Sequence, residues 1–249
     1  YEYGIEEEVD KIDKHALYKQ YQEMLHSYPI MVYLTGDISD AAITKVVNKF
    51  SGLVRSKVKS LKMADISRRI ESVTYVTEPL PVTQGKLSLG FRTNIDSNSP
   101  DYYALMLYNS ILGVGTTSKL FQNVREKASL AYYASSRLLP FNGIVSVQTG
   151  IQASDQEKVQ NMIQEQLIAL QNGDFTTETL SEVQDSLINQ YRAGHDLASN
   201  VLEQQLVTKL VNESDKNFIT EIKKVTVADV MRVAKQMKLQ AVYLLSGEK

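Results

Sequence analysis

Apolar residues recur along the chain with two distinct periods. From Asp13, Ala16, Leu17, Tyr21 and Leu25 return every three or four positions, the signature of one helical face. After Pro29 the unbroken run Ile30-Met31-Val32-Tyr33-Leu34 reads as a buried strand closing at Gly36-Asp37. A second helix opens near Ser39 and carries Ala42, Ile43, Val46, Val47 and Phe50 on one side. Further on, "RIESVTYVTE" and "KLSLGFRT" read as strands flanking the turn-rich Pro79-Leu80-Pro81. Asn98-Ser99-Pro100-Asp101 combines a capping residue, a first-turn proline and an acid at the positive end of a helix dipole. The helix it opens should bury Ala104, Leu107, Tyr108 and Ile111 and stop at Gly113 and Gly115. A short helix with Leu120, Phe121 and Val124 leads into "LAYYASSRL" and "GIVSVQTGI", a hairpin around Pro140-Phe141-Asn142-Gly143. Beyond Ser154 the pattern is helical until a last strand, Ala241 to Leu245. Strands in adjacent pairs and helices in runs predict an α+β fold, a largely antiparallel sheet with helices packed on one face.

The end of the chain echoes its start. A helix through Val230, Val233, Ala234 and Met237, a Val-Tyr-Leu strand and the exit Gly247-Glu248 match the order of helix, Val32-Tyr33-Leu34 and Gly36-Asp37. Read as a duplication, the chain holds the tail of one repeat (1–54) and one complete repeat (70–249). Between them the segment 55–69 carries six basic residues against Asp65 and reads as a solvated linker. The opening at Tyr1, inside an acidic stretch and without a methionine, reads as a cut piece of a longer protein.

Composition narrows the possible functions. With 249 residues and 43% hydrophobic content the chain can build a substantial core. A net charge of −2 gives no global field for nucleic acid or an anionic membrane, so neither is expected as a partner. No apolar run of membrane-spanning length and no signal-peptide pattern occur, and the absence of cysteine fits a reducing compartment; the expected location is cytoplasmic.

The usual catalytic sets are missing. A zinc hydrolase needs converging ligands, such as two histidines four apart on a helix with a carboxylate. The histidines here are His15, His26 and His195, and no H-x-x-E-H occurs. His15 and His26 could share a helical face but would stand roughly 16 Å apart. Ser118 lies in no G-x-S-x-G, and "GVGTTSK" follows a helix and lacks the spacing of a phosphate loop. The chain alone is not expected to be a competent enzyme or to bind a metal or other cofactor.

The stretch "ILGVGTTSKLFQNVREKASLAYYASSRL" resembles the signature of the second half of the M16 (insulinase, pitrilysin, processing-peptidase) metallopeptidase unit. Members commonly show a Leu-Gly-Gly-Gly loop, Ser-Arg-Leu-Phe, Arg-Glu-Lys and Leu-Ala-Tyr; Val114 and Lys119 depart from the commonest forms. "VYLTGD" from Val32 resembles the strand closing the first half, and "KLSLGF" from Lys86 an early strand of the second. The resemblance implies two homologous α+β halves of the M16/LuxS-like type enclosing a chamber for an extended peptide. It makes 1–54 a C-terminal remnant of the first half, and places the zinc site in a missing half or a partner subunit. Within the family, "VREKASLAYYASSRL" resembles bacterial non-catalytic subunits of a two-gene M16 pair associated with modification of elongation factor P. The expected function is therefore a non-catalytic half lending peptide-binding surface to a zinc-bearing one. The alternative is the C-terminal domain of an active zinc metalloendopeptidase whose H-x-x-E-H lies upstream.

Arg125 and Tyr132 fall on the family's Arg and Tyr positions with the same seven-residue spacing, where both reach the substrate backbone near the zinc. Fixed donors aimed at a developing oxyanion stabilise the transition state more than the ground state. The residues also admit a plainer reading. Arg125, four past Phe121, could snorkel at the edge of the apolar stripe. Strand alternation groups Tyr132 with Leu130, Ala134 and Leu138 on a core-like face, and Tyr133 with Ser135 and Arg137.

Overall fold

The computed structural model describes residues 4–60, 66, 70–210 and 218–247. They fall into two compact units, one of Tyr1–Met63 with Ala198–Leu206, the other of Ala64–Leu197 with Val207–Lys249.

In the first unit a single turn, α1 (Glu6–Val9), precedes α2 (Lys14–Ser27) and α3 (Asp40–Ser51). Asp13 caps α2 by accepting from the amides of His15 and Ala16, and Ser39 caps α3 through the amide of Ala42. The C-terminus of α2 is closed from a distance. The Arg55 guanidinium donates to the carbonyls of Leu25 and Tyr28, the amides of Ser56 and Lys59 donate to the carbonyls of His26 and Ser27, and Lys59 pairs with Glu23 at 2.5 Å. The start of the basic segment thus lies against α2; 61–65 and 67–69 fall outside the described residues. Ile30–Leu34, expected as a buried strand, is neither buried nor a strand: Ile30, Met31, Val32 and Leu34 are exposed. A strand is held by its neighbours, and among the described residues none pairs with this segment.

The second unit is built on a five-stranded sheet of β1 (Thr74–Leu80), β2 (Gly85–Arg92), β3 (Ala131–Leu139), β4 (Ile144–Ile151) and β5 (Lys238–Gly247). Their order is β1-β5-β2-β4-β3, with β1 parallel to β5 and every other pairing antiparallel. The sheet is mixed but mostly antiparallel, and the hairpin joining β3 and β4 turns at Pro140–Gly143 as expected. β1 runs on through Pro79, where a turn was expected; as an outermost strand it tolerates a residue with no amide to donate.

The core lies on one face of this sheet, where Leu87, Leu89, Phe91, Val145, Val147, Val242 and Leu244 point at helices. Central among these is α4 (Tyr102–Gly113). Beyond the four residues of its expected face it also buries Leu105 and Leu112, so it is apolar all round, as a helix inside a core must be. Its last turn ends against β3. A Cβ on Gly113 would stand 2.4 Å from the Ser136 amide nitrogen, and the Ser136 hydroxyl donates to the Asn109 carbonyl at 3.1 Å. The helix stops at Gly113 as expected, but that glycine serves close packing; Gly115, with φ +81°, is the one that turns the chain away. Around α4 pack α5 (Gln156–Gln171), α6 (Thr177–Gly194), α8 (Phe218–Lys224) and α9 (Val227–Ala234). α7 (Ala198–Leu210) begins within the first unit. No helix among the described residues is long and apolar enough to cross a membrane.

Candidate functional site

After α4 the chain enters Leu120–Lys127, a π-helix in place of the expected α-helix. Leu120 and Val124 are its buried side, held in the core by the same apolar spacing that predicts a helix here. The wider turn of a π-helix costs backbone packing and is found disproportionately at functional sites. Just beyond it Ser129 has φ +53°, left-handed geometry that a non-glycine residue seldom adopts. β3 then begins with a bulge. Ala131 faces Ile151 and Tyr133 faces Gly150, leaving Tyr132 with no residue across the ladder.

This bulge corrects the expected phase of the strand. Regular alternation puts Tyr132 with Ala134 on the core face. The extra residue turns it out instead, to 80% exposure, while Ala134 and Ser136 stay buried. Tyr133 behaves as expected, on the polar face with Ser135 and Arg137. Its ring lies over Gly150, where a Cβ would come within 2.7 Å of it.

Arg125 is brought to Tyr132 through the backbone. Its Nε donates to the Tyr132 carbonyl at 3.0 Å, its guanidinium lies over the Phe121 ring with 4.5 Å to the centroid, and Nη1 stands 3.4 Å from the Glu126 carboxylate. The plainer reading is thus met in part: the arginine does lie against Phe121. What the sequence did not reveal is its bond to the bulge, nor Phe121, Glu126 and Ser129 as parts of the site. A Tyr-Tyr doublet at a strand start is compatible with either phase, so only the spacing of Arg125 and Phe121 hinted at the stack.

No metal centre can be assembled from the described residues, among which no three His, Asp or Glu side chains converge. His26 Nδ1 pairs with the Val54 carbonyl at 2.5 Å, and His195 Nδ1 with the Tyr191 carbonyl at 2.8 Å, beside the Tyr191 ring. His15 is exposed in the first turn of α2. These residues do not fit a catalytic zinc, and no chemical step runs through one here.

Residues 11–187 match the family model described as the peptidase M16 inactive domain. The chain is 33% identical over 246 residues to a probable inactive metalloprotease, YmfF, of Bacillus subtilis (strain 168), an alignment covering 97% of this chain and 57% of that protein. Among solved structures it matches a conserved protein from Enterococcus faecalis V583 at 30% identity and a TM-score of 0.85, covering 96% of this chain and 57% of that one. A peptidase M16 inactive domain from Pseudomonas fluorescens shares the fold, with 19% identity, a TM-score of 0.79, and coverage of 99% of this chain and 60% of that one. The chain therefore spans a little over half the length of these relatives. The matched stretch includes α4, the π-helix and the β3–β4 hairpin, and the chain belongs to the M16 peptidase family, matching the model of its inactive domain.

Proposed function

We propose that this chain lends peptide-contacting surface to a zinc-bearing M16 half or partner subunit and performs no hydrolysis itself. The observation that carries this reading is the outward Tyr132, bulged from an outermost strand and bonded through its carbonyl to Arg125. A large aromatic with a polar tip, 80% exposed on a strand that is outermost among the described residues, is suited to a peptide backbone or side chain. Zinc is supplied by the partner in this reading. We take 1–54 as the end of a first M16-like half, 55–69 as a connection and 70–249 as the second half. The sequence echo supports this, since the strand matching Ile30–Leu34 in the second copy, β5, is flanked on both sides. The reading extends to a two-gene bacterial pair associated with modification of elongation factor P, acting in the cytoplasm on a peptide or protein substrate. The resemblance of residues 124–138 and the cysteine-free sequence support that extension.

The test is peptide turnover and binding in the assembly reconstituted with a zinc-bearing M16 subunit. Tyr132→Ala should weaken peptide binding, and Tyr132→Phe should lower turnover by about 10²–10³ if the hydroxyl reaches the oxyanion. Melting temperature should hold in both, because an exposed ring contributes little to the fold. Wild-type binding and turnover in both variants would remove the assignment.

A further inference from the structure

We infer that Arg125 is a positioning residue whose guanidinium locks the β3 bulge and thereby aims Tyr132 out of the sheet. The inference takes its purpose, though not its geometry, from the peptide-contact reading.

A bulge strands the extra residue's backbone groups, because the facing strand has one residue for two. Here the stranded carbonyl is that of Tyr132, and the Arg125 Nε–H donates to it at 3.0 Å. The guanidinium is held in turn from two other directions. Its face rests on the Phe121 ring, 4.5 Å from the centroid, and Nη1 approaches the Glu126 carboxylate at 3.4 Å. The planar fork of arginine can bond at its edge while stacking on its face, which an ammonium cannot do in the same way. The Glu126 pair is exposed and weak, so the stack and the carbonyl bond are the effective restraints.

The three backbone irregularities then act as one junction. The π-helix carries Phe121 and Arg125 side by side, Ser129 takes left-handed geometry between helix and strand, and the bulge brings the Tyr132 carbonyl to the donor. The ladder pairs no residue with Tyr132, so without the lock its register is not fixed from across the strand. The strand could then drift toward regular alternation, which would turn Tyr132 toward the buried face of Ala134 and Ser136. Concentrated local strain of this kind persists where the surroundings hold it.

The chain contains no tryptophan, so Tyr132→Trp places a single indole at the bulge of the full chain. In that background Arg125→Met keeps an apolar stem for Phe121 but removes the donors. The expected result is lower fluorescence anisotropy of the introduced indole and severalfold faster amide exchange over 131–134, with exchange across α5 unchanged. Phe121→Leu should act in the same direction. Combined with Arg125→Met it should add nothing further, since both residues serve one lock. Should Arg125→Met fail to fold, Phe121→Leu alone carries the same two readouts. Unchanged anisotropy and exchange, or independent effects that sum in the double variant, overturn the lock. Failure of the peptide reading looks different: the lock behaves as described, yet Tyr132→Ala leaves peptide binding in the reconstituted assembly intact.

Discussion

At the scale of single residues, two positions show how a missing or extra group decides the local structure. Tyr132 is the extra residue of a bulge, and its exposure follows from the pairing of its neighbours, not from its own hydrophobicity. Gly113 is the opposite case, because its lack of a side chain lets α4 reach β3. Replacing it by alanine gains at most about 1 kcal/mol of helix propensity. The new Cβ must then displace the Ser136 backbone, 2.4 Å away, and such overpacking costs about 1–3 kcal/mol. Gly113→Ala is expected to destabilise the chain in denaturant titrations. Gly90→Ala is the control: its Cβ would meet nothing closer than Ala241 Cβ at 3.9 Å, and stability should stay within about 0.5 kcal/mol of wild type.

At the scale of elements, α9 shows how an end is secured. Thr226 and Asp229 form a capping box: the Asp229 amide donates to the Thr226 hydroxyl at 3.3 Å, and the Thr226 amide donates to the Asp229 carboxylate at 2.9 Å. Arg232 joins that carboxylate to Asp101, at 2.5 and 2.7 Å, tying α9 to the start of α4. The bonds from the Thr226 hydroxyl and amide, reinforced by Arg232, hold the Asp229 carboxyl below its ordinary value of 3.8. A depressed carboxylate stabilises the fold above its unfolded pKa, and that contribution is lost as pH falls through the folded one. Asp229→Asn should therefore cost about 0.3–1 kcal/mol near neutrality. The gap between variant and wild type should close below the ordinary carboxylate range, measured as melting temperature against pH. A gap that persists in acid would mean the carboxylate charge contributes nothing to the cap.

At the scale of the whole molecule, burial is unevenly divided. The large cluster of fully buried side chains belongs to the second unit. Among the described residues of the first, Leu17, Tyr21, Met24, Met31, Val32 and Val47 are exposed, and only Ser27 is buried. Apolar surface on this scale favours association. The proposed pairing with a zinc-bearing M16 half has a direct consequence. The chain alone should enhance the fluorescence of a hydrophobic dye, and adding that half should suppress the signal. Suppression should fail when Val32 and Val47 are replaced by lysine. A signal unaffected by the zinc-bearing half would place its docking surface elsewhere.

Much of the second unit was legible in the sequence, because periodicity reports which face of an element is buried. The apolar spacing of α4, the β3–β4 hairpin and the last strand all appear where the pattern puts them, and the Arg-Glu-Lys and Leu-Ala-Tyr signature carried the family. Periodicity is blind to partners, however. Ile30–Leu34 has the composition of a buried strand, yet a strand exists only beside another, and none pairs with it among the described residues. Nor can period-two alternation reveal a one-residue bulge, since a single inserted position inverts every inference about which way Tyr132 points. The bond from Arg125 to the Tyr132 carbonyl has no sequence signature, because any residue has a carbonyl. The family resemblance singled out Arg125 and Tyr132 as a pair; only the tertiary structure, by satisfying a backbone group that the ladder left over, decided how they face.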